Sequence, residues 1–152
     1  MTIFTTSRLK NRQRGFTLIE VLVTVLILAI GLLGLAGLQT TALRSNHSAY
    51  LRSQATVLAY DIVDRMRANR NAALAGQYNS SIGGGASGSG MVATDLTAWK
   101  GNLQAMLPSG DGAIALAAGG RFTITVQWDD SRGAIGETAG VTTKQFVLRT
   151  DL

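Results

Sequence analysis

The chain has no cysteine, one proline and one histidine among its 152 residues. Without cysteine, no disulfide can staple the fold, although small exported domains often depend on such bonds. A single histidine also excludes metal sites built from several His or Cys ligands. A catalytic site would need a nucleophile, a base and a stabilising group in one pocket, and no such set is evident. We therefore expect no enzymatic activity, no catalytic residue, no metal and no cofactor.

Acidic residues are scarce as well, with 9 Asp and Glu against 14 Lys and Arg, for a net charge of +5. Four of the cations, Arg8, Lys10, Arg12 and Arg14, lie within the first 15 positions. Without those four, 10 basic residues face 9 acidic ones, so the rest of the chain is nearly neutral. This balance disfavours a nucleic-acid partner, which normally requires a basic surface.

One long apolar run is present, from Phe16 to Leu38, and Thr24 is the only polar residue after Glu20 within it. As a helix the run spans roughly 34 Å, enough to cross a bilayer core of about 30 Å. The basic leader before it is expected to keep the N-terminus in the cytoplasm. A secretory signal peptide would have a shorter apolar core, and a plain membrane anchor would leave Glu20 unexplained.

The string GFTLIE at residues 15–20, between a basic leader and an apolar run, resembles the class III signal of type IV pilins and pseudopilins. The resemblance implies that a prepilin peptidase cuts between Gly15 and Phe16 and methylates the new terminus at Phe16. It also implies that Glu20 pairs with the N-terminal amine of a neighbouring subunit during assembly. Such a pair suits an apolar bundle, because either charge alone would be costly there. The alternative is a Glu20 that merely reaches the lipid headgroups.

Three glycines, Gly31, Gly34 and Gly37, lie in the second half of the apolar run. Small residues let helices approach closely in membranes, so these positions are candidate helix-packing residues. Two other interpretations stay open: that glycine is simply tolerated here, or that it lets the helix stretch locally when the subunit enters a filament.

Beyond Leu38 the pattern becomes amphipathic, and it predicts one helix from about Phe16 to about Asn71. Charged residues are spaced for surface ion pairs, Asp61 with Arg65 and Asp64 with Arg67. A solvated face is the favoured interpretation of the cluster Arg65, Arg67 and Arg70, and His47 is taken as structural. The predicted buried residues of this helix are Leu51, Ala55, Leu58, Ile62 and Met66.

The predicted fold class is α+β: a long N-terminal helix, membrane-spanning in its first half and amphipathic in its second, packed on a small antiparallel β-sheet head with one extra short helix. Alternation from Phe122 to Trp128 indicates a strand with one buried face. Asp129 and Asp130 are interpreted as a solvated turn rather than a metal or catalytic pair. The predicted segments are a cleaved leader (1–15), the membrane half of the stem (16–38), its amphipathic half (39–75), a Gly/Ser-rich linker (76–93) and a head (94–152) with a helix at 94–107 capped by Thr94 and strands at about 113–117, 121–128 and 144–151.

Three further strings, at residues 58–70, 126–130 and 146–150, resemble the PilV group of type IV pilus minor pilins. The resemblance implies a single-pass subunit in the inner membrane of a Gram-negative bacterium, with a periplasmic head, later extracted into a surface pilus. The implied partners are the prepilin peptidase and methylase, the lipid bilayer before assembly, the assembly platform, the major pilin and other minor pilins. The implied roles are pilus assembly, surface attachment and twitching motility.

Three alternative functions stay open from the sequence. The first is a pseudopilin of a type II secretion system, since the leader motif is common to both machines. The second is a minor pilin that captures DNA, which the nearly neutral charge balance disfavours. The third is a membrane-tethered enzyme, which the lack of an evident catalytic set disfavours.

Overall fold

The computed structural model describes residues 15–133 and 142–152, so the predicted leader, except for Gly15, lies outside the described residues. The chain divides into two compact units, residues 1–39 and 40–152. A long helix packed on a three-stranded antiparallel sheet with a shorter helix confirms the predicted α+β class. The elements are α1 (Leu18–Ala68), α2 (Arg70–Leu74), α3 (Gly90–Met106), β1 (Asp111–Leu116), β2 (Arg121–Asp129) and β3 (Thr143–Asp151).

Helix α1 ends at Ala68, slightly before the predicted end, and the short helix α2 follows it. Asn69 separates them with a non-helical backbone at φ −119° and ψ 49°. Its side-chain amide donates a hydrogen bond to the Tyr78 hydroxyl at 3.3 Å. Asparagine favours such breaks because its side chain makes hydrogen bonds that compete with helical structure.

In the second unit, α1 buries one face, and the five predicted core positions from Leu51 to Met66 are all buried. Ala59 and Val63 complete this face. Spacings of three and four residues place these side chains along one side of a helix. The opposite side carries Leu43, Tyr50 and Val57, which stay largely exposed.

The sheet has the order β1-β2-β3, and both pairings are antiparallel. Strand β2 pairs with β3 along its whole length, from Arg121 opposite Asp151 to Asp129 opposite Thr143. The predicted alternation on β2 is confirmed, because Phe122, Ile124, Val126 and Trp128 are all buried. The strands begin and end within two residues of the predicted positions.

Helix α3 begins at Gly90, four residues before the predicted start, and the prediction of Thr94 as its N-cap is wrong. Thr94 lies inside the helix, where its hydroxyl donates to the Gly90 carbonyl at 3.2 Å. Val92 in the first turn is buried in the core, so tertiary packing extends the helix into the glycine-rich segment. Met106, the last residue of the helix, is about half exposed.

Trp99 joins α3 to both α1 and the sheet. Its indole Nε1–H donates to the Leu58 carbonyl oxygen of α1 at 2.9 Å, and its side chain is fully buried. Gly112 on β1 lies against the ring, and a Cβ atom at that position would overlap it. Glycine at 112 is therefore required by the close approach of strand and indole.

The segment predicted as a linker, residues 76–93, carries packed structure. Tyr78 is fully buried, and Ser80 exchanges two backbone hydrogen bonds of 2.9 Å with Ile114 of β1. This bridge covers part of the outer edge of β1. Unpaired backbone groups at such an edge could otherwise form hydrogen bonds with a strand of another chain. The glycine composition predicted a linker and gave no sign of these contacts.

Candidate functional site

The N-terminal segment begins with three residues, Gly15 to Thr17, that precede the helix. Thr17 caps α1: its carbonyl accepts from the backbone N–H of Glu20 at 3.1 Å, and its hydroxyl accepts from the same N–H at 3.3 Å. These bonds satisfy one of the donors that a helix start leaves free. The predicted cut between Gly15 and Phe16 therefore lies in exposed, non-helical backbone.

Sequence reasoning missed this cap, although the pattern Thr-x-x-Glu at residues 17–20 is a recognised helix-start signal. It gives Glu20 a second role. A carboxylate in the first turn of a helix is favoured by the partial positive charge of the helix N-terminus. Glu20 therefore assists the start of α1 whether or not it pairs with another subunit.

A shallow groove of about 310 Å³ is lined by Phe16, Glu20, Val21, Thr24 and Val25. The Thr24 hydroxyl donates to the Glu20 carbonyl at 2.7 Å, so its polar hydrogen is satisfied within the helix. None of the five ion pairs found in residues 15–133 and 142–152 uses Glu20. The groove thus presents one carboxylate on an apolar surface.

Every large apolar side chain from Phe16 to Leu38 is exposed, each by at least 46%. Within the described part of the chain, α1 is the one helix long and apolar enough to cross a membrane, and its most apolar window is entirely unburied. A continuous apolar surface of this size needs lipid or other helices to cover it. The apolar side chains of residues 16–38 therefore require an apolar environment that the described part of the chain does not provide.

The three predicted packing glycines, Gly31, Gly34 and Gly37, lie within α1. A Cβ atom at any of them would meet no neighbouring atom of this chain within 4 Å. No packing inside the subunit therefore requires glycine there, and close approach of a helix from another molecule stays a prediction.

A polar cluster in the second unit joins α1, α3 and the segment between them. The Tyr78 hydroxyl donates to Asp95 at 2.6 Å, and Arg65 contacts the other oxygen of Asp95 at 3.4 Å. Burial, together with the hydrogen bond to Asp95, raises the pKa of Tyr78. Arg65 also pairs with Asp61 at 3.0 Å, as predicted, and this contact raises the pKa of Arg65. Arg65 is therefore a structural link between helices rather than only part of a solvated face.

The other members of the basic cluster are engaged as well. Arg67 pairs with Asp64 at 3.0 Å, which confirms the second predicted ion pair. Arg70 donates two hydrogen bonds, of 2.9 and 3.2 Å, to the Leu152 carbonyl oxygen. These contacts tie the end of the stem to residues near β3.

Lys100 holds the glycine-rich segment against the core. Its buried ammonium donates to the carbonyls of Ser81 and Gly84 at 2.8 and 2.5 Å and pairs with Asp111 at 3.1 Å. Asp111 also accepts from the backbone N–H groups of Gly83 and Gly112, at 2.5 and 2.7 Å. Burial alone would raise the pKa of Asp111, but these N–H groups and Lys100 together hold it below its usual value.

This arrangement predicts acid sensitivity of the second unit. Because the folded pKa of Asp111 lies below its unfolded value, the ionised side chain stabilises the fold above the unfolded pKa. That stabilisation is lost as the pH falls through the folded pKa. We expect the free energy of unfolding to fall below about pH 4 more steeply in the wild type than in Asp111→Asn. Tryptophan fluorescence during urea unfolding at several pH values checks this, and parallel curves for the two chains would contradict it.

The adjacent carboxylates Asp129 and Asp130 differ from the predicted solvated turn. Asp130 is buried and accepts a hydrogen bond from the Ser48 hydroxyl of α1 at 2.5 Å, so the prediction is wrong for this residue. Asp129 accepts from the backbone and hydroxyl of Ser131 at 3.0 and 3.2 Å. The turn after β2 is thus fastened to α1. His47, half-buried, neighbours Ser48 in α1.

In the residues that the structure describes, no group of three or more His, Cys, Asp or Glu side chains could hold a metal ion. The polar clusters around Asp95, Lys100 and Asp130 are internal contacts of the fold. Glu20 with the exposed helix around it is therefore the best candidate for a functional site.

Comparison with known proteins gives two matches. The sequence profile of the prokaryotic N-terminal methylation motif matches residues 10–36, which include Gly15, Phe16 and Glu20. The profile of the type IV pilin Tt1218 matches residues 37–91, the rest of α1 and the segment after it. No curated protein and no solved structure matches the chain. The two profiles adjoin, and together they cover residues 10–91.

Proposed function

We propose that this chain, a member of the type IV pilin superfamily, is a minor pilin of a type IV pilus, most similar to the PilV group. It would be a non-catalytic filament subunit that takes part in pilus assembly and supports surface attachment and twitching motility. The observation that carries the proposal is the carboxylate of Glu20, placed on an otherwise apolar, exposed helix five residues after the predicted cut.

Cleavage supplies the missing partner for that carboxylate. A new terminus at Phe16 is an ammonium group, and an ammonium and a carboxylate that enter an apolar bundle together neutralise each other. Subunits stacked by their apolar helices would cover the exposed surface from Phe16 to Leu38 and bring one subunit's Glu20 to the next subunit's terminus. The pair would fix the axial register, because a shift of one subunit would leave both charges unpaired.

Before assembly, the same helix would cross the inner membrane, with the N-terminus in the cytoplasm and the head in the periplasm. The four cations of the leader support this orientation. Extraction into the fibre would then require the prepilin peptidase and the assembly platform, and the neighbours in the fibre would be the major pilin and other minor pilins.

Two features favour a minor pilin of the pilus. Many major pilins close a C-terminal loop with a disulfide, and this chain has no cysteine. The stem string at residues 58–70 resembles the PilV group, and this resemblance favours the pilus over a type II secretion system. Deleting the gene is expected to reduce twitching and leave protein secretion unchanged; the reverse result would assign the chain to the secretion machine.

The native N-terminus provides the direct test. We expect mass spectrometry of the chain from sheared pili to find an N-methylated terminus at Phe16. The variant Gly15→Val is expected to keep the leader and stay unmethylated, because a branched side chain then occupies the residue before the cut. Gly34→Ala, which adds a methyl group inside α1 and far from the cut, is a matched control and should be processed normally. A mature chain that begins elsewhere would contradict the proposal.

A further inference from the structure

Arg44 is the first charged side chain after the apolar run, six residues beyond Leu38. From Val21 to Leu51, no other residue carries a permanent charge. Arg44 is exposed, and the ion pairs formed within the described parts of the chain do not include it. A guanidinium group in this position is available to an anion from outside the chain.

The distance along the helix suits a membrane surface. Six helical residues rise about 9 Å, and the interfacial layer beyond the hydrocarbon core is about 5–8 Å thick. Helical side chains lean toward the helix N-terminus, so Arg44 leans back toward the end of the apolar run. Its long side chain shortens the remaining gap.

Among the described residues, Asp130 is an acidic side chain that contacts α1 near Arg44. Asp130 contacts α1 at Ser48, one helical turn beyond Arg44 on its C-terminal side. The Ser48 hydroxyl occupies one oxygen of Asp130, and none of the ion pairs within the described residues joins Asp130 to Arg44. The acids of α1 itself, Glu20, Asp61 and Asp64, are 24, 17 and 20 residues away from Arg44.

We propose that Arg44 binds the phosphate of an anionic phospholipid, in the leaflet that faces the head, while the subunit waits in the membrane. The inference rests on the proposed membrane-anchored subunit. A planar guanidinium makes two parallel hydrogen bonds to a phosphate, and an anionic headgroup adds net charge attraction. The contact would set the depth of the helix in the bilayer, and it must break when the subunit enters the fibre.

Nanodiscs with equal amounts of phosphatidylglycerol and phosphatidylcholine allow a direct test with the full chain. Native mass spectrometry counts the lipids that each released chain retains. Relative to the wild type, Arg44→Gln is expected to lower the ratio of retained phosphatidylglycerol to phosphatidylcholine about five-fold. Arg52→Gln is the matched control: Arg52 is also exposed on α1, but eight residues farther along, and the ratio should not change. The leader cations contribute the same background to every chain.

Three results would overturn the inference. The ratio could stay unchanged in Arg44→Gln, or it could fall equally in Arg52→Gln. Alternatively, Arg44→Gln could lower the thermal midpoint of the second unit, which would mean that Arg44 pairs with Asp130 instead. Alkaline carbonate extraction separates this inference from the proposed function. Release of the wild-type chain from membranes would refute the membrane-anchored subunit itself. A chain that stays anchored but shows no lipid preference would refute only the role of Arg44.

Discussion

Replacing Glu20 with Ala is expected to lower the amount of the subunit in sheared pili by at least about ten-fold, with no loss of the protein from the membrane fraction. Removing one partner of a buried ion pair costs about 3–5 kcal/mol, because the other charge stays buried without compensation. In the proposed filament, the remaining charge would be the ammonium of Phe16 inside an apolar bundle. Immunoblots of sheared pili and of membranes from the same cells measure both quantities.

Two further variants decide whether the charge of Glu20 or its place at the helix start matters. Glu20→Gln keeps a side chain suited to the Thr17 capping pattern but removes the charge, so we expect it to fail as Glu20→Ala does. Asp64→Ala removes an exposed α1 carboxylate that pairs only at the surface with Arg67, and should assemble normally. Normal assembly of Glu20→Gln would show that helix capping, and not an ion pair, explains this residue.

Replacing Trp99 with Ala is expected to lower the free energy of unfolding of the second unit by about 3–5 kcal/mol, the usual cost of truncating a fully buried aromatic residue. The loss has two physical sources. The cavity would open between α1, α3 and β1, where Gly112 has no side chain to fill it. The hydrogen bond from the indole to the Leu58 carbonyl would also be lost.

Urea unfolding of the full chain in detergent micelles measures this effect, with the fluorescence of the second tryptophan, buried Trp128, as the signal. Trp99→Phe keeps most of the apolar volume but not the hydrogen bond, so its loss should be smaller. Tyr60→Ala truncates an aromatic residue that is half exposed on α1 and should change stability by less than about 1 kcal/mol. A similar loss in Trp99→Ala and Tyr60→Ala would contradict the central position assigned to Trp99.

Some features of this protein are set by short stretches of sequence and could be predicted without a structure. The apolar run after Glu20 predicts a membrane-length helix, because its composition alone excludes a surface helix of a soluble domain. The repeat of Leu51, Leu58 and Ile62 and the alternation from Phe122 to Trp128 predict a buried helix face and a buried strand face. Each signal depends only on near neighbours in the chain, and the structure confirms each of the elements.

Other features depend on residues far apart in the chain, so no local pattern could reveal them. The burial of Asp130 requires Ser48, which is 82 residues away, and the order of the glycine-rich segment requires Lys100 and Asp111. Composition predicted a linker in the glycine-rich segment and a solvated turn at Asp129 and Asp130. Glycine and aspartate favour irregular, solvent-exposed backbone when no other residue packs against them. The sequence by itself determined the class of each main segment: helix, strand, or a run apolar enough to cross a membrane. Only tertiary packing decided which polar groups would be buried, since burial depends on which distant residues the fold places next to them.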